Sequence, residues 1–207
     1  MIKLERTSVM NWENAMRGAR NPLNSWSRMD SYYDENHQYV LGPNDLDLAK
    51  RLCRAGSDHR KFLRQVMVSV DITAPLYWWK EYDTYKVATV ANSTSTMHKI
   101  HSKPFVREDF STDHMTEDAL EFMDTVIDKL EEIRLRYMEG GKNKRDWYDL
   151  IQLLPSSYQQ MRTCSLNYET LIHIYHARKD HKLDEWHTFC DWILTLPYGK
   201  ELIKMEE

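Results

Sequence analysis

The sequence predicts an α/β (α+β) domain, from one strand-like segment, one long helical segment and a length of 207 residues. Between positions 64 and 73 apolar residues alternate with mainly polar ones, the period of a strand with one buried face. Between 116 and 137 apolar residues recur at intervals of three and four, which predicts a helix of about six turns. A chain of this length suits a single domain over residues 1–207.

The other elements follow from local spacing and from residues that end helices. The near-helical spacing from Ser8 stops before Pro22 and predicts a short amphipathic helix over 8–20. Residues 21–43 and 89–95 are rich in small and polar residues, which predicts loops. The long helix is expected to start at Thr116 and to end at Gly140 and Gly141, covering about 116–138. Further helices are predicted at 44–56, after Pro75, and at 145–153, 167–178 and 183–194.

Composition and charge exclude several classes of protein. The formal charge is −4 and the sequence pI is about 6.1, so a surface that binds nucleic acid along its length is not expected. No apolar run approaches the roughly 20 residues of a membrane helix, and the first ten residues are too charged and short for a secretory signal. The sequence therefore predicts a cytoplasmic protein with no membrane or nucleic-acid partner.

Cysteine and histidine spacing gives no metal or disulfide pattern. Cys53, Cys164 and Cys190 lie far apart without a CxxC pair, which is typical of reduced thiols. Two His pairs stand three positions apart, at 98 and 101 and at 173 and 176, but no carboxylate or Cys ligand accompanies them, so no metal site is expected. Nucleophile-elbow, P-loop and dinucleotide-binding motifs are also absent from the sequence.

An ordered set of motifs runs through most of the chain. In the second half, Leu154-Pro155 is followed by Asn167 after twelve positions, and Arg178 stands eleven residues beyond that Asn. In the first half, Gly56 and His59 precede a strand that closes in Ala74-Pro75. The set resembles the flavin-dependent thymidylate synthase family, in which such residues hold a nucleotide.

The resemblance implies a fold and a mode of assembly. The family has a central antiparallel sheet with flanking helices and forms homotetramers whose active sites lie between subunits. The family Arg that orients the pyrimidine nucleotide matches Arg178, and a nucleotide-contacting Asn matches Asn167. The resemblance therefore implies a nucleotide or a nucleotide-derived small molecule as ligand, in sites between the subunits of a homotetramer.

The flavin-binding part of the family pattern is degraded. The family's Arg-His-Arg cluster is matched by Thr84, Tyr85 and Lys86, so one of two cations is retained and a phenol replaces an imidazole. The family Arg two positions after the Asn is Glu169 here, a charge reversal that repels an anion. No cofactor is therefore expected, with FAD as the cofactor only if the chain is an active enzyme.

Seven residues are the candidate ligand contacts, and each has a structural alternative. Asn167 can instead be the N-cap of a helix. Arg178 can instead be a cation in the last turn of a helix, where it complements the helix dipole. The Ser/Thr/Asn run can form a phosphate cradle or simply a loop, and His59 can be solvated surface. No catalytic residue is assigned. The candidates are Lys86, Asn92, Ser95, Asn167 and Arg178, with Tyr85 and His59 as weaker additions.

Two functions follow from this pattern. The first is a non-catalytic or chemically diverged nucleotide-binding protein, of the kind a virus or prophage would use in the host cytoplasm to sequester a nucleotide-derived signal molecule. The alternative is an active flavin-dependent thymidylate synthase or a related enzyme that methylates pyrimidine nucleotides. Loss of the flavin contacts at two separate places favours the binding protein.

Overall fold

The computed structural model describes residues 1–205, in which helices flank an antiparallel sheet. The strands are β1 (Lys3–Met10), β2 (Tyr32–Tyr33), β3 (Tyr39–Val40), β4 (Met67–Pro75), β5 (Val90–Ser93) and β6 (Gln159–Asn167). The helices are α1 (Trp12–Arg20), α2 (Pro43–Arg54), α3 (Leu76–Tyr82), α4 (Glu117–Glu139), α5 (Lys144–Leu153), α6 (Tyr168–Arg178) and α7 (Asp184–Thr195). A π-helical turn, Gly199–Lys204, follows α7.

Four strands form the main sheet in the order β1-β4-β6-β5, and β2 and β3 form a separate antiparallel hairpin. The N–H of Tyr168 donates to the carbonyl of Val66 at 3.1 Å, and the N–H of Leu76 donates to the carbonyl of Tyr158 at 3.0 Å. The start of β4 therefore lies beside the end of β6, and the end of β4 lies beside the start of β6, so the two strands are antiparallel. Each of them leads directly into a helix, α3 after β4 and α6 after β6.

The chain groups into two compact units. The first comprises Met1–Lys3, Ile72–Thr84 and Asn92–Thr163, and the second comprises Leu4–Asp71, Tyr85–Ala91 and Cys164–Glu207. The single domain expected over 1–207 stays a prediction, and its last two positions lie outside the described residues. No described helix has both the length and the apolar character needed to cross a membrane.

The first unit has its core beneath α4. Apolar residues spaced three and four apart form the buried side of this helix. They pack against Leu150 of α5 and against residues of the segment that precedes α4. This apolar stripe is the reason the long helix forms where the sequence predicts it. The core cluster consists of Ile100, Phe105, Phe110, Met123, Ile127, Leu130, Ile133 and Leu150.

In the second unit the loop over 21–43 is fixed by a buried ion pair. The guanidinium of Arg20 lies 2.6 Å from the carboxylate of Asp45, and both side chains are almost completely buried. The carboxylate of Asp30 accepts from the N–H groups of Asn44 and Asp45 at 2.8 and 3.0 Å and so caps α2. A Cβ at Gly42 would lie 2.3 Å from the Asp30 carbonyl oxygen, so this close approach requires glycine.

Several sequence predictions are confirmed with small shifts at the ends. The long helix is α4, the strand over 64–73 is β4, and the predicted helices at 44–56, 145–153, 167–178 and 183–194 are α2, α5, α6 and α7. The alternating apolar residues of the β4 segment are fully buried, as one buried face requires. The three cysteines are buried and unbridged.

Five strands depart from the sequence predictions. Residues 8–10 form the end of β1 and not the start of a helix, and residues 90–93 of the expected loop form β5. The segment 21–43, also expected as a loop, contains the β2–β3 hairpin. Strand β6 was not predicted. Strands β1 and β5 are the edge strands of the sheet, and most of their side chains are exposed, so their sequences lack the alternation that marks a half-buried strand.

Candidate functional site

The candidate site is built around α6, in the second unit. A segment over 85–87 lies alongside this helix: Thr170 Oγ donates to the carbonyl of Val87 at 3.1 Å, and Arg178 Nε donates to the hydroxyl of Tyr85 at 2.7 Å. The Tyr85 ring also meets the ring of His173 edge-on, at a centroid distance of 5.7 Å. The segment that matches the family's Arg-His-Arg cluster is thereby held against the helix that ends at Arg178.

Arg178 is half-buried on an aromatic surface. Its guanidinium lies over the ring of Trp186, 4.7 Å from the centroid, and 5.5 Å from the centroid of Tyr85. Trp186 is fully buried, so it supplies a rigid floor beneath the cation. Lys86, which is exposed, adds a second cation on the same segment.

Asn167 is the N-cap of α6. Its side-chain oxygen accepts from the N–H of Thr170 at 2.9 Å, and the Thr170 hydroxyl lies 3.0 Å from the same oxygen. Its amide nitrogen donates to the carbonyl of Arg64 at 3.2 Å, and the residue is 4% exposed. The structural role that the sequence predicted for Asn167 is therefore present, and both ends of its amide are used within the chain.

Glu169 belongs to an ion pair. The Nε of Arg60 donates to both carboxylate oxygens of Glu169, at 3.0 and 3.2 Å, and the two side chains are each 19% exposed. The sequence alone presented Glu169 as an uncompensated negative charge where the family has an Arg. The structure corrects this view, because the partner Arg60 makes the pair neutral and weakens the repulsion of an anion.

His59 lies beside Arg60 and is exposed. It contributes to a mainly apolar groove of about 710 Å³ in the second unit, together with Leu48, Leu52 and Phe62. Since Arg60 contacts the first turn of α6, His59 belongs to a segment that reaches the same helix as Asn167 and Arg178.

Asn92 and Ser95 belong to the first unit. Asn92 is exposed on β5, whereas the hydroxyl of Ser95 accepts from the N–H groups of Met97 and His98 at 3.2 and 2.9 Å. These bonds close a Ser turn, which is the loop alternative considered for this run of residues. Five of the seven candidates thus lie on or next to elements that contact α6, and these two are placed in the other unit.

The length of α6 separates two of the candidates. Eleven residues at about 1.5 Å each place Asn167 and Arg178 roughly 16 Å apart, at opposite ends of the helix. Within one subunit they therefore cannot hold the same phosphate group. The arrangement suits an anion near Arg178 and Lys86, with the rings of Tyr85 and His173 available for contact with a planar base.

Three contributors to the site were not among the sequence candidates. Arg60 is paired with a residue 109 positions away, and no local signal marks such a contact. His173 stood out only as part of a His pair, and Trp186, whose ring lies beneath Arg178, is the third contributor. An interval of five turns an α-helix by about 140°, so the spacing of His173 and Arg178 gives no signal that both residues contact Tyr85.

Comparisons with known proteins bear on this architecture. No protein-family model matches the chain, and no curated protein matches it either. Among solved structures, thymidylate synthase X from Helicobacter pylori with FAD and dUMP is 16% identical with a TM-score of 0.71, over 99% of this chain and 98% of that chain. A UMP/dUMP methylase, PolB from Streptomyces cacaoi bound with 5-Br dUMP, is 13% identical with a TM-score of 0.63, over 98% and 90%.

These likenesses define the class of fold, an antiparallel sheet with flanking helices that extends over nearly the whole chain. The particular fold is that of flavin-dependent thymidylate synthase, as the motif spacing predicted. At these identities the likeness establishes the fold and leaves the activity of this chain to be argued from its own residues.

Proposed function

We propose that this protein binds a pyrimidine nucleotide, or a molecule derived from one, on a thymidylate synthase fold without carrying out flavin chemistry. The observation that carries the proposal is the position of Arg178. Its guanidinium lies 4.7 Å from the ring centroid of Trp186 and 5.5 Å from that of Tyr85, its Nε donates to the Tyr85 hydroxyl, and Lys86 lies on the same segment. A guanidinium fixed in this way loses little side-chain freedom when it binds a phosphate.

The likeness to known structures supports the choice of ligand. Two solved structures of the same fold are described with dUMP or 5-Br dUMP, and one of those proteins is described as a UMP/dUMP methylase. A pyrimidine nucleoside monophosphate is therefore the first ligand to test on this chain.

The residues at the positions where the family binds its flavin support the absence of flavin chemistry in this chain. Tyr85, which stands where the family has an imidazole, is engaged with Arg178, and the position before it is Thr84. Replacing a guanidinium by Thr removes a charge-assisted hydrogen bond of about 1.5–3 kcal/mol. Glu169 is paired with Arg60 and presents no positive charge to a phosphate. We infer that FAD binds weakly or not at all.

A biological role follows if binding is the whole function. Capture of a ligand needs affinity and abundance only, since a bound molecule is withdrawn from its free pool by mass action. We therefore propose a viral or prophage protein that sequesters a nucleotide-derived signal molecule in the host cytoplasm. We also propose a homotetramer with sites between subunits, for which the measured mass in solution is the direct test.

The experiment is a comparison of flavin and nucleotide binding in one preparation. Freshly purified protein is examined for visible flavin absorbance and then titrated by calorimetry with dUMP, UMP and FAD. We expect colourless protein that binds dUMP or UMP and takes up FAD at least tenfold more weakly.

Two results would contradict the proposal. Protein that is yellow, retains FAD through purification and methylates dUMP would be the active enzyme that the sequence left as the alternative. Protein that binds none of the three ligands would remove the nucleotide site altogether.

A further inference from the structure

A second groove lies in the second unit, away from the α6 site. It is bordered by the end of β1, the start of α1, the β2–β3 hairpin and the end of α7, and it encloses about 1130 Å³. None of the described residues that line it is among the seven nucleotide candidates. This volume is ample for a small ligand, since such pockets commonly measure about 300–1,000 Å³.

The walls of this groove are aromatic. Tyr33 and Tyr39 of the hairpin meet edge-to-face at 5.1 Å, and Trp12 meets Tyr198 in the same manner at 5.4 Å. Trp192 completes the wall, where its indole N–H donates to the hydroxyl of Thr7 at 3.1 Å. Except for Trp12, these rings are partly or largely exposed, so their faces and edges can meet a ligand.

The charge of the groove is negative. Glu13 lines it, and its carboxylate accepts a hydrogen bond from the hydroxyl of Tyr33 at 2.9 Å. That bond raises the pKa of Tyr33, so the phenol stays protonated. Among the described lining residues none is Lys or Arg.

The backbone around the groove is held in uncommon conformations. Asn11, His37 and Tyr198, which all line it, have φ angles of 73°, 57° and 60°. The left-handed region is unfavourable for a bulky residue such as Tyr198, and residues kept there cluster at ligand sites. The hairpin turn is fixed as well, because the carboxylate of Asp34 accepts from the N–H groups of Asn36 and Gln38 at 2.9 and 2.8 Å.

We propose that this groove binds a small organic cation, of the quaternary ammonium or protonated amine class. Aromatic rings attract a cation through their negative faces, and the carboxylate of Glu13 adds a full negative charge beside them. The same charges disfavour a phosphate, so the ligand class differs from that of the α6 site. The inference does not depend on the proposed nucleotide function.

The test is calorimetric titration of the full chain with choline and with spermidine. The neutral compound 3,3-dimethyl-1-butanol, which has the shape of choline without its charge, serves as the matched ligand. We expect saturable binding of at least one of the two cations and none of the neutral compound.

Variants locate the binding. Glu13→Gln keeps an acceptor for Tyr33 and removes the charge, and we expect it to weaken cation binding roughly three- to thirty-fold. Tyr39→Ala should weaken binding by a similar factor, whereas Tyr39→Phe, which keeps the ring, should bind as the native protein does. Glu5→Gln, on the exposed part of β1 outside the groove, is the charge-matched control and should have no effect.

Three results would overturn the proposal. Failure of both cations to bind would remove the site. Equal binding of the neutral compound would show that burial of apolar groups, and not charge, drives association. Cation binding that is unchanged in Glu13→Gln and Tyr39→Ala would place the ligand elsewhere on the molecule.

Discussion

Replacement of Arg178 by Ala is the sharpest test of the nucleotide site. The substitution removes the guanidinium over Trp186, 4.7 Å from the ring centroid, and the 2.7 Å hydrogen bond to Tyr85. A charge-assisted bond to a phosphate contributes about 1.5–3 kcal/mol, so the dissociation constant for dUMP or UMP should rise roughly 10- to 140-fold. Calorimetric titration measures this change directly.

The same substitution also affects stability, which must be separated from binding. Loss of the cation–π contact costs about 0.5–2 kcal/mol, and loss of the hydrogen bond about 0.5–1.5 kcal/mol. We therefore expect the free energy of unfolding to fall by about 1–3.5 kcal/mol in denaturant titration. The half-buried hydroxyl of Tyr85 can then be solvated, so the cost should lie toward the lower end of this range.

Arg162 provides a matched control within the chain. Its guanidinium lies over the ring of Trp79 at 4.1 Å and pairs with Asp83 at 2.8 Å, so it makes contacts of the same kinds on β6. Arg162→Ala should lower stability by a comparable amount and leave nucleotide affinity unchanged. If Arg178→Ala binds dUMP and UMP as tightly as the native protein, or if Arg162→Ala loses equal affinity, then the assignment of Arg178 to the site is wrong.

The remaining predictions concern the frame around the site. Asn167→Ala removes the cap of α6 and should cost about 1–2 kcal/mol of unfolding free energy in urea, more than Asn143→Ala at the exposed cap of α5; equal costs would contradict a buried cap. Asp45→Asn leaves the buried Arg20 unpaired and should cost about 3–5 kcal/mol. Burial acts to raise the pKa of Asp45, but the hydrogen bonds from Ser31 and Arg20 outweigh it, so the pKa lies below 3.8. The stabilisation is therefore complete above about pH 4 and is lost as the pH falls through the folded-state pKa. An acid titration in which Asp45→Asn loses stability as steeply as the native protein would refute this linkage. Burial raises the pKa of Cys53 and Cys190 to about 12. A thiol reagent at pH 8 should therefore modify them only after the protein unfolds. Rapid reaction of either thiol in the folded protein would contradict this expectation.

The sequence determined the elements whose own residues carry a strong period. The β4 segment alternates because one face is buried, and α4 repeats at three and four because one side packs on the core. The spacing between Pro155, Asn167 and Arg178 could also be recognised from the sequence alone. Strand β6 leads directly into α6, so the number of residues between these positions is set by the lengths of two regular elements. The fold assignment rested on that spacing, and the structural likeness confirms it.

Only the tertiary structure decided the strands and contacts that depend on distant partners. Strand β1 has few buried side chains and forms because β4 offers it hydrogen bonds, so its own residues carry no strand signal. The charge of Glu169 is balanced by Arg60, 109 positions earlier, and the guanidinium of Arg178 is held by Tyr85, 93 positions earlier. Local sequence fixes which residues face one side of an element. The partner on that side is fixed by packing among elements far apart in the chain.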